Sequence, residues 1–261
     1  MKRTLLDASK SLLKDGDYYI GSFDNAYIET EVNSNCSIFI DKLASGSKLE
    51  IVVNSGSFCT LSILAEGELK LANIKVTVKK DGRFDGYFAD FTRDMVNLVC
   101  VVDLVEEGAS VYYRVASLSA NKDNKIIDIS INHLSPRTYG KVDNYGVCKD
   151  DAKLTFLGTS HIVKKSIKSK TQQNAKIMVF DKYSNAIAKP ILKIDENDIE
   201  ASHAAIVGKI NDEHLFYLTS RGISESEAKQ LITFGYLKPI LFGFKEEEIK
   251  NRISSLIEGR M

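Results

Sequence analysis

The side chains able to hold a metal or move a proton are few in this chain. They comprise four histidines (His133, His161, His203 and His214) and four cysteines (Cys36, Cys59, Cys100 and Cys148). The cysteines stand far apart, with no C-x-x-C pair to start a zinc or cluster cage. Each reads as a small buried hydrophobe. His133 falls in the alternating stretch Ile131-Asn132-His133-Leu134 and reads as structural, while His161 and His214 read as surface residues. His203 follows Ser202 in a small, β-prone stretch. A neutral imidazole is a competent metal ligand, but residue type alone reads it equally as a histidine held by carbonyls at a strand end. Asp195, Glu196, Asp198 and Glu200 gather carboxylates without the spacing of a calcium loop, and read as a solvated turn. Phosphate-binding, dinucleotide-binding and nucleophile-elbow motifs (G-x-x-x-x-G-K-S/T, G-x-G-x-x-G, G-x-S-x-G) are all absent.

The elements that must position these groups change character along the chain. Leu5, Leu6, Ala8, Leu12 and Leu13 suit a short amphipathic helix over Thr4–Leu13, ended by Lys14-Asp15-Gly16-Asp17. From Tyr18 to about Ile210, short β-branched and aromatic runs follow one another, such as Leu49–Val53, Ile74–Val78, Leu98–Val102 and Ile127–Ile131. Gly, Asn, Asp or Ser bound each run. This predicts an all-β body, with sandwich, barrel and solenoid all open; three-fold coils with two-residue corners would account for the spaced small and polar residues. After about Asp212 the pattern turns helical. Ser224 and Glu227 form a capping box ahead of Ser226–Leu237, where Ala228, Leu231, Ile232, Phe234 and Tyr236 are placed for one buried face and Gly235 and Pro239 mark a stop. A second helix is predicted over Lys245–Ile257. The domain reading is an N-terminal helix (1–17), a β core (18–211) and a helical domain (212–261).

Composition narrows the partners. Lys plus Arg and Asp plus Glu number 35 each, which argues against nucleic acid. No apolar run approaches the roughly 20 residues a membrane span needs. With no apolar signal region after Met1-Lys2-Arg3, a cytoplasmic protein is expected.

The stretch from Ser202 reads S-H-A-A-I-V-G, followed by L-F-Y-L-T-S-R-G-I from Leu215 and Ala228 within the next helix. It closely resembles the C-terminal signature of the SufB/SufD family of iron–sulfur cluster assembly proteins, with Ile206 where the family commonly has threonine. The resemblance extends upstream through Ile131–Thr138, Phe156-Leu157-Gly158, Thr171-Gln172-Gln173 and Lys189–Ile194, covering roughly the second half of the chain. It implies a right-handed parallel β-helix with helical ends, thereby selecting the solenoid. It also implies two partners: a SufC-type ATPase docked on the C-terminal helices, and a SufB-type subunit or a second copy on the β-helix. SufB-like members resemble T-Q-C-D where this chain has Thr171-Gln172-Gln173-Asn174, and carry glutamate where Ala204 follows His203. Amide and methyl groups cannot replace a thiolate or carboxylate at iron, so the chain looks SufD-like.

The resemblance implies that His203 is an iron or cluster ligand at a subunit interface. Phe216, Tyr217, Arg221, Gly222, Ala228 and Leu231 would belong to the ATPase-docking segment, with Phe216-Tyr217-Leu218 and Ser220-Arg221-Gly222 as the hinge between body and helices. The expected role is an assembly subunit rather than an enzyme. It should hold no cofactor stably alone, and should share a transient iron–sulfur cluster within the complex. A self-sufficient homodimeric scaffold is the first alternative. A β-helix enzyme acting on carbohydrate is the second, and would need organised carboxylates on one face.

Overall fold

The computed structural model describes residues 3–6 and 11–261. Among them seventeen strands form two sheets, and every pairing is parallel. The first sheet takes alternate strands in order: β1 (Thr4–Leu5), β3 (Gly16–Ile20), β5 (Asn35–Ile40), β7 (Phe58–Glu68), β9 (Arg83–Arg93), β11 (Ser110–Ser119), β13 (Tyr139–Cys148), β15 (Ser169–Val179) and β17 (Ile199–Lys209). The second takes those between: β2 (Ser11–Leu13), β4 (Asn25–Thr30), β6 (Ser47–Val53), β8 (Leu71–Val78), β10 (Met95–Leu104), β12 (Asn124–His133), β14 (Lys153–Ile162) and β16 (Asn185–Ile194). Each strand pairs with the strand two places on, so the chain winds as a solenoid. In a sandwich of hairpins, sequential strands would pair antiparallel. The coil has two faces, not three.

Side-chain alternation fixes what lies inside. Residues at every second position turn inward and stack on their counterparts in the next coil, giving a continuous apolar interior from Leu13 to Ile177. One inward column runs Gly16, Cys36, Cys59, Phe84, Val111, Gly140, Thr171 and Ala201. Successive coils therefore take 20, 23, 25, 27, 29, 31 and 30 residues. Large rings fit because glycine sits beside them: a Cβ at Gly86 would collide with the fully buried Tyr113 ring. All four cysteines are buried and unpaired, and burial pushes the Cys100 and Cys148 thiols up to about 12, so they are not thiolates.

The helix expected over Thr4–Leu13 is not present. Thr4 and Leu5 pair with Tyr18 and Tyr19, and Ser11–Leu13 pairs with Ile28–Thr30; Asp7–Lys10 lie outside the described residues. The solenoid therefore begins ahead of residue 18. Leu5 and Leu12 face outward, 70% and 60% exposed, while Leu13 is buried and Leu6 packs on the core. Each Leu-Leu pair puts one side chain in and one out, as a strand does, and pairing with the next coil overrides the helical periodicity.

Past Lys209 the chain becomes helical: α1 (Asp212–Ser220), α2 (Glu225–Leu237), a 3₁₀ segment (Lys238–Gly243) and α3 (Glu247–Glu258). Asn211 caps α1 by accepting from the amides of Glu213 and His214, and the Ser224–Glu227 capping box is formed. Gly235 does not stop α2; Pro239 instead opens the 3₁₀ segment, where its missing N–H costs nothing. The tail folds back along the outer face of the first sheet. There Leu237, Ile240, Phe244, Ile253 and Ile257 pack on Phe39, Leu64, Phe91, Leu118 and Val147.

In the later coils the interior becomes polar. His133 is fully buried, its Nδ1 2.8 Å from Thr138 Oγ1 and its Nε2 without a partner. Burial pushes this imidazole down to about 4, so it is neutral in the fold. In the unfolded chain it would take a proton near its ordinary value of about 6.5. Stability is therefore complete above that value and falls as pH drops from about 6.5 towards 4. Urea unfolding should show a loss of about 2 kcal/mol from this group between pH 7.5 and pH 5, and the His133→Leu variant should lose correspondingly less over that interval.

Candidate functional site

The two chemically interesting regions of the sequence are the end of the solenoid and the helical tail. The tail does not cover the end. β16 and β17 are the outer strands of their sheets, and their outer edges carry no strand partner among the described residues. The inward column Tyr18, Ile38, Leu61, Gly86, Tyr113, Val142, Gln173 terminates in His203. His203 thus occupies a core register position with no coil beyond it, and it is exposed. Val207 extends the column of the buried Ile177, yet is 47% exposed. The last coil presents interior-type residues to solvent, flanked by open backbone edges.

One coil deeper, Gln173 is buried and satisfied. Its amide oxygen accepts from the Ser160 amide (2.8 Å) and hydroxyl (2.6 Å), and its nitrogen donates to the Gly158 carbonyl (3.3 Å). Thr171 donates to the same Ser160 hydroxyl at 2.8 Å. The position therefore holds a packed polar knot with no ligand-like group.

The other metal-capable side chains are placed elsewhere. His161 Nε2 lies 2.8 Å from Asp195 Oδ2 on the outer surface, and His214 is exposed on α1. Glu196 accepts the amides of Lys165, Asn197 and Asp198, and these bonds hold its carboxyl below the ordinary value, the Lys165 amide foremost. Glu200 pairs with Lys170 at 2.7 Å. The carboxylates therefore brace a solvated turn. Among the described residues no three His, Cys, Asp or Glu gather as a metal cage. Among the described residues His203 belongs to no such group.

The tail exposes a second surface. α1 has no buried residue, with Phe216 74% and Tyr217 56% exposed and the Arg221 guanidinium 4.9 Å over the Tyr217 ring. Gly222, at φ +88°, makes the turn into α2 in a conformation that suits glycine. Leu231 is 53% exposed on the wall of a groove of about 650 Å³ between α2 and α3, lined also by Ile223, Glu227, Gln230 and Phe234. Ala228 is fully buried and lies beneath this surface. Phe216-Tyr217-Leu218, expected as a hinge, lie within α1, which Asn211-Asp212-Glu213 announces as a cap followed by first-turn acids.

An open-ended parallel β-solenoid with a helical tail folded along one face is thus the class of molecule defined here. The sequence model described as SUF system FeS cluster assembly, SufBD core domain, matches residues 13–236, and the chain belongs to that family. It is 34% identical over 131 residues to the iron–sulfur cluster assembly protein SufD of Bacillus subtilis, covering 50% of this chain and 30% of that protein. It is 25% identical over 194 residues to SufB of the same organism, covering 73% of this chain and 42% of the relative. Against Escherichia coli SufD it is 30% identical over 115 residues, 44% of this chain and 27% of that one. Each alignment therefore spans less than half of the relative. Among the described residues no helix is long and apolar enough to cross a membrane.

Replacing Gln173 with leucine would leave the Ser160 hydroxyl without its amide acceptor inside the last closed coil. The expected cost is about 2 kcal/mol, read as a lower urea midpoint with an unchanged slope. An unchanged midpoint would show that Gln173 is not the structural element described.

Proposed function

We propose that this chain is a SufD-like, non-catalytic assembly subunit of a SufBCD-type complex in the cytoplasm. It would pair with a SufB-type subunit through the open end of its solenoid and take a SufC-type ATPase on its helical tail. The observation that carries this reading is the unpaired β17 edge bearing His203, on a chain whose tail leaves that edge free.

The two edges are not equivalent as docking sites. Pro190 lies mid-strand in β16 and removes a donor from that edge, whereas β17 is eleven residues long without proline. A strand of the partner subunit adding to β17 would satisfy its free backbone groups and cover Ala205 and Val207. His203 then faces the new interface, able to offer one neutral imidazole to iron. The iron–sulfur cluster is cargo in this reading, and a partner chain supplies its remaining ligands. Gln173 and Ala204, in place of thiolate and carboxylate, leave this chain unable to hold a cluster alone. Two copies paired about a two-fold axis would meet through the same strand, which keeps the homodimeric scaffold as the alternative partner arrangement.

For the ATPase, α1 and the adjoining α2–α3 groove offer Phe216, Tyr217, Ile223 and Leu231 as an apolar patch ringed by polar groups. A nine-residue helix is marginal in water, and α1 has no fully buried residue in its own chain, so a partner would stabilise it. Deleting the whole tail is a poor probe, since it would bare the apolar outer face of the first sheet. The Phe216→Asp/Leu231→Asp double variant should keep the wild-type thermal unfolding and lose capture of a SufC-type ATPase by at least tenfold. Retained capture would refute helix docking. Anaerobic reconstitution with iron and sulfide should leave the isolated chain colourless, and should give charge-transfer absorption with a SufB-type partner that His203→Ala reduces. Stable colour in the isolated chain would instead favour the self-sufficient scaffold.

A further inference from the structure

Four charged side chains are buried together where the tail rejoins the solenoid, and the function proposed above uses none of them. Lys125, in an inward position of β12, donates to Asp90 Oδ2 of β9 at 3.0 Å and to the Leu118 carbonyl at 2.9 Å; both charged side chains are 0% exposed. Asp90 also accepts from Ser117 Oγ at 2.6 Å and from the Thr92 amide at 3.1 Å. Beside this pair, Asp123 in the β11–β12 connection accepts from the amides of Asp94 (2.8 Å) and Ala120 (2.9 Å). It is ion-paired to Arg260, two residues past α3. Those two side chains are only 5% and 6% exposed.

Arg260 reaches across coils. Its guanidinium also donates to the carbonyls of Phe91 and Thr92 at the end of β9. From the β13–β14 connection, Lys149 Nζ donates to the carbonyls of Arg260 (3.3 Å) and Met261 (3.1 Å). One residue of the tail is thus tied to the corners of three consecutive coils. The two acids and two bases balance, so removing Arg260 alone leaves a buried carboxylate without its counter-charge, the costly way to break such a pair. Among the described residues the other ion pairs between tail and solenoid are more exposed, Arg3–Glu246 at 13% and 26% being the next most buried. Arg252, with Asp41 and Glu66, is 38% exposed, and Lys245, with Asp17, is 54% exposed; screening makes such pairs weak.

We propose that Arg260 is a positioning residue for the docking surface. It clamps α3 to the solenoid and so fixes one wall of the α2–α3 groove. Under load from a bound partner, the compliant part of the tail is α1 with the Gly222 turn, and α3 does not swing as an arm. Force applied to the groove passes into the corners of β9 to β14. This inference rests on the reading that the groove takes the ATPase, but the clamp itself can be measured without any partner.

Amide hydrogen exchange on the full chain provides that measurement. In Arg260→Ala, exchange over residues 247–258 should accelerate at least tenfold while the interior strands β9–β13 keep their protection, and Arg260→Lys should fall between the two. Affinity for a SufC-type ATPase should drop about tenfold in Arg260→Ala. If Arg260→Ala does not fold, the Asp123→Asn/Arg260→Gln variant removes both buried charges and should release α3 in the same way. Exchange over 247–258 unchanged within twofold would overturn the clamp. Accelerated exchange with undiminished ATPase affinity would overturn the positioning role. If the wild-type chain itself fails to bind the ATPase, the docking reading falls, and the exchange result still decides the clamp.

Discussion

Every strand among the described residues depends on a backbone ladder supplied by the coil before it, the coil after it, or both. In a parallel, in-register stack, each coil satisfies the amides and carbonyls of one neighbour and offers its own to the next. Such a stack cannot end quietly, because the last coil has unpaired backbone groups and an interior with nothing below it. Here His203, Ala205 and Val207 occupy that terminal interior. The placement of a histidine in the core register of a coil with no successor follows from the winding itself.

The helical tail could have closed this end and does not. Its apolar residues are spent on the outer face of the first sheet, where Phe39, Phe91 and Val147 would otherwise meet water. The tail is consequently a brace running back along the solenoid, anchored at Asp17, Asp41 and Asp123, and it leaves the terminal strands free. That division of labour separates two surfaces on one chain: an open β edge and an exposed helix with its adjoining groove.

Much of this was legible in the sequence, and the exceptions have physical causes. The β-rich body was visible because short β-branched and aromatic runs, such as Leu49–Val53 and Ile127–Ile131, recur between Gly, Asn, Asp and Ser. The capping box at Ser224 announced α2, because its two side chains serve local backbone groups and need no tertiary context. A fixed repeat was not visible, since coil length grows from 20 to 31 residues and blurs any single period. Thr4–Leu13 misled because two Leu-Leu pairs satisfy a helical stripe and a strand alternation alike, and only the neighbouring coil decides between them. For the candidate site, His203 was found through resemblance alone; its own residue type and neighbours fit a plain strand end. Helical periodicity put Ala228 and Leu231 on one buried face; Ala228 is buried, but Leu231 is exposed on the groove wall, because periodicity shows which residues share a face and not how deep each one lies. The buried quartet around Arg260 left no sequence signal, as its members lie far apart along the chain.

The central claim is that the free edge of β17 is an interface. Hydrogen exchange across residues 199–209, measured on the chain alone and again with a SufB-type subunit present, tests it most directly. The account predicts that these amides exchange readily in the isolated chain and become strongly protected in the complex. A complex that forms while β17 keeps its unprotected exchange, with new protection confined to other surfaces, would contradict it.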